Sequence, residues 1–138
     1  MNSAHVFSLV SAIAAIQWLI LIIRPKLKVT TWLITYAPVP IFFSLLYAFY
    51  ISGFFTLPGA GFGSIEEVRT LFSNDNLLLA GWIHYLAFDL LIGFHILKSA
   101  KSNSISHFLV IPCLILTFMF GPCGYLIYQI ILKINSKK

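Results

Sequence analysis

"DNLLLAGWIHYLAFDLLIGFHI", residues 75–96, is long enough as a helix to cross a bilayer, yet it carries His84, Asp89 and His95. A crossing helix needs about 20 predominantly apolar residues. Residues 77–97 meet that length, and so do residues 4–23, 30–52 and 106–132. The whole chain agrees, with 59% hydrophobic residues, 9% charged residues and a mean hydropathy of +0.93 over 138 positions. Soluble domains carry about 25% charged residues, so a soluble fold is excluded. The prediction is an all-α polytopic membrane protein, a single domain over residues 1–138 with four transmembrane helices. Its only long loop lies between the second and third, which confines a binding site to the space between helices or beneath that loop.

The first stretch lacks the positive flank and small-residue cleavage site of a signal peptide, so it is expected to stay as helix one. No Arg- and Ser-rich transit pattern precedes it, which points to a bacterial plasma (inner) membrane. The net charge of +5 comes from nine Lys and Arg against four Asp and Glu. These basic residues lie outside the helix centres, where they meet lipid head groups, and nucleic acid is not implied. With four spans, loops one and three hold Arg24, Lys26, Lys28, Lys98 and Lys101, and the opposite side holds Arg69, Lys133, Lys137 and Lys138. Charges flanking the first helix then put both termini outside. Cys113 and Cys123 are ten residues apart on one expected helix, about 15 Å along its axis. A disulfide needs Cα atoms within about 7 Å, so the pair reads as small packing residues.

In "YAPVP", Pro38 and Pro40 each remove a backbone donor and predict a kink near Thr35 and Tyr36. "FGPCG", with Gly121, Pro122 and Gly124, predicts a break or strong bend in the fourth helix. Within the loop of residues 53–76, Ser64 and Glu67 have capping-box spacing. A short helix should follow, with Ile65, Val68, Leu71 and Phe72 on one face, lying at the membrane interface over the bundle mouth. "GAGFG" lacks the preceding strand and the lysine of a phosphate loop. Asn74 or Asp75 is placed to cap helix three.

Asp89 stands twelve residues past Leu77, near the bilayer midplane, where an ionised carboxylate costs at least about 2.5 kcal/mol. It must face inward. Alternating antiparallel spans put Gln17 at nearly its depth, with Pro40 and Phe120 nearby, and make Gln17 its expected hydrogen-bond partner. No Lys or Arg within the spans neutralises Asp89, so apolar surroundings favour its protonated form and make it a proton donor. At 100° per residue, Trp82, Tyr85 and Asp89 fall within about 60° of one another. His84 lies about 140° from Asp89, on a face with Phe88, Leu91 and His95, and level with Ser44 and Tyr125. His84 and His95 are about 16 Å apart along the axis, too far to share a metal ion. His5 and His107 stand at helix ends, where solvation accounts for them.

The strings "LLLAGWIHYLAFDLLIG", "GAGF" and "HFLVIPCLILTFMFGPCGYLIY" together resemble the abscisic-acid-deficient-four-like family over roughly residues 58–128. The resemblance implies a four-helix membrane protein. In plants it implies a part in neoxanthin synthesis, the conversion of a carotenoid epoxide to an allene. That step needs an acid for the epoxide oxygen and a base for a vinylic proton, without net redox change or a cofactor.

Three functional readings follow. The first is an isomerase-like enzyme on an apolar isoprenoid or carotenoid, with Asp89 as acid, His84 as base and Tyr85 bridging them. Trp82, Gln17, Tyr125, Phe118 and Phe62 would bind the substrate. The second is a non-catalytic carotenoid- or lipid-binding protein, or a subunit of a larger complex, with the same aromatics as lining. The third is haem held between His95 and His107, which their offset in depth disfavours. A protein partner or a homo-oligomer is left open.

Overall fold

A computed structural model describes residues 2–135, all-helical apart from turns, with no strand among the described residues. Helix α1 (Ser3–Ile23) starts where the Asn2 side chain accepts the Ala4 N–H at 3.1 Å, and it ends ahead of Pro25. Helix α2 (Lys28–Tyr36) is tied back to it by the buried Thr30 hydroxyl, which donates to the Arg24 carbonyl at 2.6 Å.

The proline kink expected near Thr35 and Tyr36 falls at Ala37. That residue precedes Pro38, which disfavours the helical region, and it sits in the left-handed region at φ 46°, ψ 44°. Helix α3 (Pro38–Ile51) resumes at once with Pro38 in its first turn, where a missing N–H costs nothing, and runs on as a 3₁₀ turn, Ser52–Thr56.

In the segment that follows, helix α4 (Ile65–Phe72) is capped reciprocally. The Ser64 hydroxyl accepts from the Glu67 N–H at 3.2 Å, and Glu67 Oε2 accepts from the Gly63 N–H at 2.9 Å. The glycine turn is therefore filled by a carboxylate. Helix α5 (Asp75–Ser102) starts at Asn74, whose side chain accepts the Asn76 and Leu77 N–H groups.

Three helical stretches are long and apolar enough to cross a bilayer: Ser3–Ile23, Lys28–Thr56 and Asp75–Ser102. More than half of the apolar window in α5 is buried against 11% of that in Lys28–Thr56, so α5 is the hub. Val6, Val10 and Leu21 of α1, Phe43 of α3 and Ile83, Leu90 and Ile96 of α5 are closed off around it. Leu45, Phe49, Leu126 and Ile130 are each more than half exposed, an outer surface suited to hydrocarbon rather than water.

The fourth apolar stretch departs from the expected span. It is two helices of 14 residues, α6 (His107–Phe120) and α7 (Pro122–Asn135), parted at Gly121 with φ 41°, ψ −95°. Neither alone reaches the length of a crossing helix. The two fold back on each other. A methyl group on Gly124 would collide with the Thr117 hydroxyl, the Thr117 nitrogen and the Cys113 carbonyl, atoms that a continuous helix would keep well over 10 Å away. The Tyr128 hydroxyl donates to Ser99 Oγ at 2.7 Å, and the rings of Tyr125 and His95 are 6.0 Å apart. Helix α7 thus returns to the end of α5 where α6 began, and the turn of this hairpin lies against the middle of α5.

The fold-back moves Lys133 to the end of the molecule that holds Arg24, Lys26, Lys28, Lys98 and Lys101, and leaves Arg69 at the other. The C-terminal end of α7 and residue 2 consequently lie at opposite ends, in contrast to the shared side expected from four spans. Lys137 and Lys138 lie outside the described residues.

A candidate site at the hairpin turn

Asp89 is the fifteenth of 28 residues in α5 and is 8% exposed. It meets the hairpin turn: a methyl group on Gly121 would come within 2.8 Å of Asp89 Oδ1. Glycine serves there twice, for its positive φ and for its missing side chain. Tyr85, one turn earlier, donates its hydroxyl hydrogen to the Phe118 carbonyl at 3.0 Å and lies beside the Asp89 carboxyl. The carbonyl it takes is close to the end of α6, where carbonyls lose their in-helix partners. Among the described residues, four buried side-chain polar atoms lack a partner: Gln17 Nε2 and Oε1, Trp18 Nε1 and Asp89 Oδ2. An unmet buried polar group costs about 1–3 kcal/mol, so such groups call for an explanation.

Gln17 is buried, yet it does not bond Asp89, contrary to the expected pairing. Helices α1 and α5 run parallel, with Ser3 on Asn76, Ser11 on Trp82 and Trp18 on Gly93. Trp18 occupies the position that faces α5 and α6, its ring seated on Gly93 and 5.7 Å from that of Phe118. Gln17 is turned about 100° away from it.

Trp82 is held by its indole N–H, which donates to Ser11 Oγ at 2.9 Å, and its ring lies 5.2 Å from Phe7 and 5.3 Å from Tyr85. Trp82, Tyr85, Phe118 and Asp89 are therefore assembled along one side of α5.

Other candidates stand apart. His84 is exposed on the outer face, its ring 5.5 Å from Tyr47 and 4.6 Å from Phe88. Tyr125 is brought to His95 instead of to the depth of His84, because α7 runs in the reverse of the expected direction. Phe62, 72% exposed, stacks on Phe54 in the segment before α4. His107 Nε2 is 2.8 Å from the Ile22 carbonyl while His95 packs on Tyr125, so the two are not a facing pair.

Trp18, Ser11, Gly93 and Gly121 belong to the site and escaped the sequence reading. A large aromatic on one helix against a glycine on another is a packing signal, but it shows only once the rotation of each helix about its axis is known. Gly121 looked like a helix breaker alone.

A family model described as ABA DEFICIENT 4-like matches residues 5–128. No curated protein and no solved structure matches the chain.

Proposed function

The chain belongs to the ABA DEFICIENT 4-like family, and on that premise we propose that it is a membrane-embedded, isomerase-like protein acting on a carotenoid or other isoprenoid lipid, with Asp89 as its acid. The observation that carries the reading is the Asp89 carboxyl itself, buried in the middle of the longest helix with Oδ2 unpartnered. A side chain so costly at that depth is kept where it does chemistry.

For an epoxide opened to an allenic alcohol, the protonated carboxyl gives its hydrogen to the epoxide oxygen as the carbon–oxygen bond breaks. A vinylic proton then leaves as the new carbon–carbon double bond forms. Nothing is oxidised or reduced, and the product is an isomer. Tyr85, beside the carboxyl with its own hydrogen engaged by Phe118, has only its hydroxyl oxygen left to accept the carboxyl hydrogen. His84, the base expected from the sequence, faces away from this point. The carboxylate that Asp89 becomes after the first transfer is the nearer acceptor, so both transfers fall to one side chain. Trp82 and Phe118 flank the ligand, and neither metal nor cofactor is needed.

The outward placement of His84 also favours a second reading, a carrier that holds the isoprenoid without converting it. Asp89→Asn separates the two. In protein folded in lipid, with bound pigment quantified before product is measured, the enzyme reading expects epoxy-carotenoid turnover to fall by about 100-fold or more while pigment is retained. Turnover at the parent rate would remove Asp89 as the acid. A parent protein that binds pigment and converts none is the carrier.

A further inference from the structure

We propose that the cleft between the C-terminal ends of α5 and α7 is a binding site for the phosphate head group of an anionic phospholipid. It lies at the end of α5 far from α4 and apart from Asp89, so it is a second site, independent of the one already described.

Helix α7 returns beside α5 in step with it, Tyr125 packing on His95 and Tyr128 bonding Ser99. The same step brings Lys133 level with Asn103. Between the two helix ends lies a cavity of about 480 Å³ lined by Asn103, Gln129, Leu132 and Lys133. Three of the four carry hydrogen-bond donors, two side-chain amides and an ammonium, a set suited to the oxygens of a phosphate diester. Bare carbonyls at the end of α5 would repel an anion, but these are taken. The Lys98 carbonyl accepts from the Ser102 hydroxyl, that of Ser99 from the Asn103 N–H and side-chain amide, that of Ala100 from the Ile105 N–H and that of Lys101 from the Ser104 N–H. The Asn103 amide nitrogen keeps a second hydrogen for a ligand.

Asn103 stands fourteen positions past Asp89, about 21 Å along the axis. With Asp89 near the midplane, the hydrocarbon ends about 15 Å out and the head-group layer about 20–22 Å out. The cavity is therefore at the level of the lipid phosphates. Charge there is of one sign: Arg24, Lys26, Lys28, Lys98, Lys101 and Lys133 gather at this end, with no Asp or Glu among the described residues. Each basic residue near an anionic membrane surface contributes about 1 kcal/mol, whereas a choline head would bring a further cation into the same field. The acyl chain has a path as well. Leu126 and Ile130, 62% and 52% exposed, share the face of α7 that carries Lys133. A chain laid along them toward the membrane interior leaves its head group at Gln129 and Lys133. An apolar strip continuous with a polar cavity fits a lipid, while a free phosphate would use the cavity alone.

The test uses the full chain in detergent, with native mass spectrometry measuring retained lipid as phosphatidylglycerol or phosphatidylcholine of matched acyl chains is added. One phosphatidylglycerol should be retained per chain, about tenfold more tightly than phosphatidylcholine, a difference of about 1.4 kcal/mol. Lys133→Gln, at an exposed position, should weaken phosphatidylglycerol about tenfold, and Lys133→Arg should bind as the parent does. Lys101→Gln is the control, at the same end but turned about 160° from Asn103 around α5, and it should match the parent. Bound lipid should survive millimolar inorganic phosphate. Equal retention of the two lipids or parent-like binding by Lys133→Gln would overturn the site. An equal loss in Lys101→Gln would replace it with diffuse surface charge, and displacement by inorganic phosphate would make it a free-anion site; either result overturns the lipid as its occupant.

Discussion

Gly124→Ala reads the hairpin directly, because a straight fourth helix and a folded-back one demand opposite signs. In a continuous helix the replacement removes backbone freedom from the unfolded chain and stabilises by about 1 kcal/mol. In the hairpin the new methyl meets the Cys113 carbonyl and the Thr117 nitrogen, both backbone atoms that no side-chain rotation can move. Overpacking of this kind costs about 1–3 kcal/mol. Parting α6 from α7 to relieve it would also strain the Tyr128–Ser99 hydrogen bond, a further contribution of about 1 kcal/mol. Set against the gain of about 1 kcal/mol that alanine keeps inside α7, a net loss of about 2 kcal/mol is expected, measured as the shift in the unfolding transition in mixed detergent followed by circular dichroism. Removing the Thr117 hydroxyl as well, in Thr117→Ala/Gly124→Ala, should not restore stability, since the backbone contacts remain. A Gly124→Ala protein as stable as the parent, or more so, would refute the fold-back and return a fourth span.

Ala37→Gly should raise the unfolding midpoint, since the left-handed conformation costs an alanine about 1 kcal/mol that glycine does not bear; a lowered midpoint would argue against the break at residue 37. His84→Gln should leave conversion of an epoxy-carotenoid at the parent rate, and a fall of tenfold or more would put His84 back as the base. Reporters fused to the two ends of the chain should appear on opposite sides of the membrane, with the α7 end on the cytoplasmic side, following the basic residues gathered at loops one and three. Both reporters on one side would count for four spans.

Hydropathy alone was enough to show the all-helical character and three of the crossing helices, because length and lack of charge are local properties of the chain. The cap at Ser64 and Glu67 was equally local, a matter of two side chains three residues apart. The direction of α7 was not. "FGPCG" announces a break, but whether the chain bends by a little or reverses depends on Gly124 finding the α6 backbone and on Tyr128 finding Ser99, 29 residues earlier. That one reversal carried the other misplacements with it: Tyr125 moved from His84 to His95, and Lys133 changed ends. The Gln17 expectation failed for a different reason. Depth follows from counting residues, whereas facing depends on rotation about the helix axis, and the buried arc of α1 is wide enough to hold Gln17 and Trp18 at once.

The hairpin also bears on why the polar stripe of α5 is tolerated. A fourth helix crossing the whole bilayer would lie along α5 from Ser99 to Leu78 and bury Trp82 and Tyr85 against protein. A hairpin that stops at Gly121 supplies the Phe118 carbonyl to Tyr85 and places a glycine on Asp89. It supports the carboxyl from one side and leaves the stripe below it uncovered. Phe120 and Trp82 are exposed on that side, at 57% and 36%, a surface that an apolar molecule already dissolved in the membrane meets without passing through water. Lengthening the hairpin should cover that surface. Inserting one helical turn after Phe118 would drive the tip past Asp89 toward Trp82, so pigment binding should be lost while the three crossing helices, whose core contacts lie elsewhere, stay folded. Retained binding in such a variant would mean that the ligand reaches the protein by another face.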